Sequence, residues 1–213
     1  MNTDELISSL SADVPRVARH ALAKRIAGGV GIGSIVAVLL VAMTLGIRPD
    51  LGEAMQGFTF WMKWAYSISL GAAALFTVSR LARPTRGSLR GLWWVAAPVL
   101  LLAGIGIGEL ARTPSQEWLA LWLGGSWNVC PFYVLALAVP IFAGLLWSFR
   151  KLAPTRLRAA GAAAGLAAGA WSATIYCLHC PEASALFVLT WYTTGILLAT
   201  GIGALLGPRF LRW

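Results

Sequence analysis

Two short segments contain all three cysteines of the chain and one of its two histidines. Cys130 lies in the first segment, whereas Cys177, His179, Cys180 and Glu182 lie in the second. Thiols can form disulfides, and thiolates together with imidazole bind soft or borderline metal ions. His179 and Glu182 therefore add two possible metal ligands to the thiols. Nearly all of the remaining sequence is apolar, so these segments are the main candidates for redox or metal chemistry.

The residue pattern leaves several uses of these cysteines open. Cys177 and Cys180 have the Cys-x-x-Cys spacing of a redox dithiol, but no thioredoxin-like βαβ pattern surrounds them. Cys130 could pair with either of them. A structural disulfide, an inert thiol pair, a metal site and a stress-responsive site are the alternatives. We predict no cofactor and no stable metal site, although Cys130, Cys180 and His179 could bind a metal ion transiently.

The composition indicates that these segments belong to a membrane protein. The 213 residues are 58% hydrophobic and 12% charged, with a net charge of +9 and a mean hydropathy of +0.73. Globular domains have roughly 25% charged residues. The positive charge could indicate nucleic-acid binding, but it occurs in short clusters between apolar runs. This distribution is typical of membrane topology, so we predict a lipid bilayer as partner and no direct nucleic-acid contact.

Six apolar runs are each long enough to cross a bilayer with about twenty residues. They predict an all-α membrane protein, a six-helix transmembrane bundle with spans at 26–47, 58–79, 92–110, 129–149, 157–177 and 185–206. Basic residues cluster before the first run, after the second, after the fourth and after the sixth. The opposite loops hold only Arg48 and Arg112 as basic residues, so both termini are predicted to be cytoplasmic and the cysteines non-cytoplasmic.

Small residues four positions apart predict close helix packing, because they let backbones approach in lipid. They occur in four of the runs, at Gly29/Gly33, Gly104/Gly108, Gly161/Gly165/Gly169 and Gly195/Ala199/Gly203/Gly207. Lys63 and Glu109 lie near the ends of runs, where their charges are predicted to extend to the membrane interface. No ionisable residue lies near the middle of a run, which argues against an ion transporter or metal permease.

Residues 1–25 are the only sizeable polar segment and are predicted to form a cytoplasmic domain separate from the transmembrane domain at 26–213. Asn2 or Thr3 can cap a short amphipathic helix, and a break is expected around Pro15. The predicted apolar stripe comprises Leu6, Leu10, Val14, Val17 and Ala21, which recur at spacings of three and four. The predicted partner-binding residues are Leu6, Ile7, Leu10, Val14 and Val17. Such a stripe suits either a groove on a partner protein or the membrane surface, and the pattern does not choose between them.

Several motifs resemble those of the NrsF-type membrane anti-sigma factors. They are the opening MNTDELI, WNVCP at 127–131, HCPE at 179–182, WYTTG at 191–195 and GPR at 207–209. The resemblance covers essentially the whole chain, and the two cysteine motifs are its most specific part.

The resemblance implies a non-enzymatic regulator in the bacterial inner membrane. Such a protein would sequester an extracytoplasmic-function sigma factor through its N-terminal segment. It would release that factor when metal or oxidant stress reaches Cys130 and Cys180. Cys177 lies outside the HCPE motif and would be a spare thiol or an alternative pairing partner. The main rival is a membrane thiol–disulfide oxidoreductase that uses Cys177 and Cys180. The oligomeric state is not predicted.

Overall fold

The computed structural model of the protein describes residues 2–12, 20–81, 93–149 and 156–212, and within these ranges all regular structure is helical. The elements are α1 (Thr3–Ala12), α2 (Ala21–Leu45), α3 (Leu51–Ala54), α4 (Phe58–Leu81), α5 (Trp93–Arg112), α6 (Trp118–Leu123), α7 (Cys130–Phe149), α8 (Leu157–Tyr176) and α9 (Ala185–Phe210). Single π turns occur inside two helices, over Val41–Leu45 in α2 and Val188–Tyr192 in α9.

The six long helices lie where the six apolar runs predicted helices, but only four of them qualify as membrane spans. By length and composition, α2, α5, α7 and α9 can cross a membrane. Four of the six predicted runs are therefore candidate membrane spans, whereas α4 and α8 are not. Helix α8 consists mostly of alanine and glycine, and α4 carries the buried polar residues Lys63, Ser67 and Thr77. Each of these compositions lowers the mean hydropathy of its own helix.

Helix α8 lies at the centre of the bundle. Fourteen of its 20 residues are buried, and it packs against α9, α4 and α7. Helix α2 packs mainly on α7, and α5 lies at the periphery beside α4 and the start of α9. Because neighbouring helices surround α8, its position in the bundle depends more on close packing than on apolar side chains.

Glycines allow the closest helix contacts, as the small-residue pattern predicted for three of the four runs. A Cβ added at Gly161 would meet the backbone of Gly203 in α9, and one added at Gly29 would meet the backbone of Gly144 in α7. The prediction was wrong for α5, because no atom lies within 4 Å of a Cβ added at Gly104 or Gly108. Those two glycines face outward.

Large apolar side chains cover much of the outer surface. Leu100 and Leu101 on α5 are each 70% exposed, and Ile32 and Ile35 on α2 are also exposed. Extended apolar surface of this kind marks contact with a membrane or another protein. Together with the four long apolar helices, it suggests membrane association.

Helix α1 begins as the capping pattern predicted. The Asn2 backbone N–H donates to the Glu5 carboxylate at 3.1 Å, which is one half of a capping box. Leu6 and Ile7 are exposed, and Leu10 lies within α1. Val14 and Val17, together with the predicted break at Pro15, lie outside the described residues.

Candidate functional site

The three cysteines meet at one end of the bundle. Cys130 is the first residue of α7, Cys177 directly follows α8, and Cys180 lies in the loop between α8 and α9. All three are free thiols with 0% exposure, and they lie near one another. The structure thus brings together the two segments that the sequence singled out.

Two tyrosines that sequence reasoning missed form part of this thiol cluster. The Tyr176 side chain lies beside the Cys130 thiol, and the Tyr176 and Tyr192 rings lie 5.7 Å apart. The Tyr192 hydroxyl is buried near Cys177 and Cys180 but has no hydrogen bond of ordinary geometry. Tyr192 ends the π turn of α9, and such turns are frequent at functional sites. The position of Tyr176 immediately before Cys177 was the available sequence signal.

The loop over the thiols, residues 177–184, is called the cysteine loop below. Lys63 of α4 lies beneath it and is only 1% exposed. Its Nζ donates hydrogen bonds to the carbonyl oxygens of Cys180, at 3.1 Å, and of Glu182, at 2.7 Å. The prediction that Lys63 extends to the interface was wrong, because the loop folds back across the end of α4.

Arg48, in the loop between α2 and α3, holds the cysteine loop from a second direction. Its backbone N–H donates to the Leu178 carbonyl at 3.0 Å, and its guanidinium donates to the Cys180 carbonyl at 3.4 Å. The guanidinium also makes two hydrogen bonds to Asp50, at 2.8 and 2.6 Å, and these lower the pKa of the Asp50 carboxyl below its ordinary value. The Cys180 carbonyl therefore accepts hydrogen bonds from two cations.

Glu182 and His179, which the sequence offered as metal ligands, bind backbone and hydroxyl groups in this structure. The Glu182 carboxylate accepts from the Gly125 N–H at 2.8 Å and the Ser126 hydroxyl at 3.1 Å. His179 Nδ1 lies 2.9 Å from the carbonyl oxygen of Gly46. Within the described ranges, no group of three or more His, Cys, Asp or Glu side chains is placed to hold a metal ion.

Glu109 fixes the far end of the cysteine loop. Its carboxylate accepts from the Ser184 hydroxyl at 3.0 Å and from the Ala185 N–H at 2.9 Å, where α9 begins. An acceptor at a helix N-terminus satisfies N–H groups that have no partner within the helix. Glu109 thus caps α9 from a neighbouring helix. The sequence predicted only that its charge extends to the membrane interface.

This arrangement encloses the thiols. Reactive cysteines in proteins are usually partly exposed, whereas these three are buried, and the cysteine loop that contains Cys177 and Cys180 is hydrogen-bonded to four other segments. An oxidant or a metal ion in solvent reaches Cys180 only when the cysteine loop moves. The site is therefore suited to a change of conformation that accompanies a change in the thiols.

Fold and site together define a class, namely a small all-helical protein with an apolar surface and a cluster of buried thiols at one end. The sequence model of the family "NrsF: Negative regulator of sigma F" matches residues 10–213, and the chain belongs to this family. Membership of a family of regulators suggests a non-enzymatic role.

Two relatives align over the full length of both chains. One is the "Probable anti-sigma-F factor NrsF" of Azospira oryzae, which is 42% identical, and the other is the "Anti-sigma-F factor NrsF" of Caulobacter vibrioides, which is 41% identical. No solved structure matches the chain. The family resemblance of the sequence motifs is thus confirmed.

Proposed function

We propose that this protein is an integral-membrane anti-sigma factor that holds an extracytoplasmic-function sigma factor and releases it when Cys130 and Cys180 change state. The observation that carries the proposal is the convergence of these cysteines, from segments fifty residues apart in sequence, in one buried cluster. The names of both relatives, which describe anti-sigma-F factors, support a sigma factor as the partner.

The proposal places the bundle in the bacterial inner membrane with six spans. Helix α8 packs against α7 and α9, and α4 packs against α8 and α5. Since α5, α7 and α9 are apolar enough to cross a bilayer by themselves, the less apolar pair lies in the same layer. Basic residues near the end of the bundle opposite the cysteines include Lys24, Arg80, Arg158 and Arg209. By the positive-inside rule that end is cytoplasmic, with both termini, and the thiols face the other side.

The N-terminal segment is the proposed binding surface for the sigma factor. Helix α1 presents Leu6 and Ile7, 41% and 58% exposed. A helix of ten residues is too small to bury a core of its own. Its apolar side chains, together with Leu10, Val14 and Val17 of the predicted stripe, fit an apolar groove on a partner.

The proposed signal is a change at sulfur. In oxidation, the two S–H bonds of Cys130 and Cys180 break, an S–S bond forms, and two protons and two electrons pass to the oxidant. In the metal-dependent alternative, the thiols lose their protons and both sulfurs bind a thiophilic cation. A disulfide is typically worth about 2–4 kcal/mol. Converting a two-state equilibrium from 1:99 to 99:1 needs about 5.5 kcal/mol, so one such bond gives substantial but incomplete release.

Helices α7 and α2 form the proposed route from the thiols to the cytoplasmic segment. Cys130 begins α7, and α7 touches α2 where Gly144 meets Gly29. At the other end of α7, the Ser148 hydroxyl donates to the Arg25 carbonyl at 2.8 Å, near the start of α2. A displacement of Cys130 is thereby transmitted along α7 to the chain that follows α1.

The test is affinity purification of the full chain from membranes of the source bacterium, with bound sigma factor identified by mass spectrometry. We expect a sigma factor to be retained by the wild type, lost after treatment with diamide or Cd²⁺, and absent when residues 1–25 are deleted. Cys130→Ser and Cys180→Ser are expected to retain it under both treatments, whereas Cys177→Ser responds as the wild type does. Normal release by both the Cys130 and the Cys180 variants would refute cysteine sensing.

A further inference from the structure

Lys63 carries a positive charge in an unusual setting. Its ammonium is buried, and the single ion pair among the described residues joins Arg48 to Asp50, so no described carboxylate pairs with Lys63. Burying a charge is costly unless hydrogen bonds compensate for the lost water. The two acceptors that do so are the carbonyl oxygens of Cys180 and Glu182, and both belong to the cysteine loop.

We propose that Lys63 is a latch that holds the cysteine loop closed and thereby sets how readily Cys180 reacts. This deepens the proposed function and rests on it insofar as loop opening is the event that leads to release. Lifting the loop removes both acceptors of Lys63 at once, so opening leaves the ammonium without a hydrogen-bonded partner until water enters. The closed loop is favoured for that reason.

Arg48 assists the latch but contributes less to it. Its guanidinium keeps both bonds to Asp50 when the loop moves, and its hydrogen bond to the Cys180 carbonyl, at 3.4 Å, is longer than that of Lys63. The hydrogen bonds of Glu182 to Gly125 and Ser126 lie two residues beyond Cys180. Lys63 is the cation with no other described acceptor, so its removal is expected to affect Cys180 most.

The experiment measures how often the loop opens. The reduced full-length protein in lipid nanodiscs is treated with N-ethylmaleimide, and alkylation of each cysteine is followed by peptide mass spectrometry. The variants are Lys63→Met, which has similar length and no charge, and Lys63→Arg, which keeps the charge. Lys24→Met is the matched control, because Lys24 is exposed at the other end of the bundle.

Since N-ethylmaleimide reaches Cys180 only when the loop is open, its rate of alkylation reports the opening equilibrium. Loss of hydrogen bonds from a charged donor is expected to accelerate alkylation of Cys180 by about tenfold or more in Lys63→Met. Lys63→Arg restores slow alkylation, and Lys24→Met matches the wild type. Alkylation of Cys130, which is held by α7, is accelerated less than alkylation of Cys180.

Two results would overturn the latch. One is an unchanged rate at Cys180 in Lys63→Met. The other is an equal acceleration of Cys130 and Cys180, since that would indicate a general loosening of the bundle. Should Lys63→Met fail to fold, Lys63→Leu, which also lacks a hydrogen-bond donor, is subject to the same criteria.

The latch and the proposed function can fail separately, because alkylation needs no sigma factor. If Lys63→Met accelerates Cys180 but bound sigma factor is retained under diamide, the latch stands and cysteine-triggered release is wrong. If Cys180→Ser blocks release but Lys63→Met leaves alkylation unchanged, the sensing function stands and the latch is wrong.

Discussion

The contact between α8 and α9 makes a quantitative prediction possible, because it depends on the absence of single methyl groups. A Cβ added at Gly165 would lie 2.9 Å from the carbonyl carbon of Ala199 and 3.0 Å from the Cα of Thr200, and closer still to the carbonyl oxygen of Ala199. These are backbone atoms of the neighbouring helix and cannot rotate away. Gly165→Ala must therefore push α8 and α9 apart.

Overpacking of this kind typically costs about 1–3 kcal/mol. With a shift of about 2–4 °C per kcal/mol for a chain of this size, Gly165→Ala is expected to lower Tm by about 2–12 °C. Gly201→Ala is the matched control in α9, since no atom lies within 4 Å of a Cβ added there. Because alanine favours a helix over glycine by about 1 kcal/mol, that control should be neutral or stabilising.

The assay is thermal unfolding of the purified full chain in detergent, followed by circular dichroism at 222 nm and carried out on both variants in parallel. Equal Tm values for Gly165→Ala and Gly201→Ala would show that α8 and α9 are not in backbone contact at this level. The packing of the central helix would then be wrong. A lower Tm for Gly201→Ala than for Gly165→Ala would lead to the same conclusion.

Two further substitutions test the hydrogen bonds around the cysteine loop. Glu109→Ala removes the acceptor at the start of α9 and should destabilise the protein by about 1 kcal/mol, the usual cost of losing a helix cap. Thermal unfolding measures this loss, and Glu117→Ala is the surface control. Asp50→Asn should lower Tm at neutral pH and lose that effect in acid. The hydrogen bond from Arg48 lowers the pKa of Asp50, so its stabilisation is present above the ordinary carboxyl pKa and disappears as pH falls through the lowered value. A difference in Tm that stays constant over this pH range would contradict the role of the Asp50 charge.

The positions of the long helices could be predicted from sequence because a helix in an apolar setting satisfies its own backbone hydrogen bonds. Hydropathy along the chain then marks where each helix runs. The cysteine segments were equally visible, since they hold all three cysteines of the chain. Glycine spacing correctly indicated close packing for α2, α8 and α9 but not for α5, whose glycines face outward.

The hydropathy profile of the sequence could not show which side chains become buried when the helices pack together. Lys63 has the charge and position of an interfacial residue, yet a loop that begins more than a hundred residues later folds over it. Tyr176 and Tyr192 have the composition of ordinary core aromatics, and only their position beside the thiols distinguishes them.

The sequence by itself determined that this chain is helical and apolar, that its three cysteines lie in two short segments, and that its motifs are those of a family of sigma-factor regulators. Only the tertiary structure decided that the three thiols are buried together and that Lys63 and Arg48 converge on the Cys180 carbonyl. The physical reason is the distance along the chain between the residues that each interaction joins. Helices form from hydrogen bonds between residues four apart, whereas the bond from Lys63 to Cys180 joins residues 117 apart and forms only after the helices have packed.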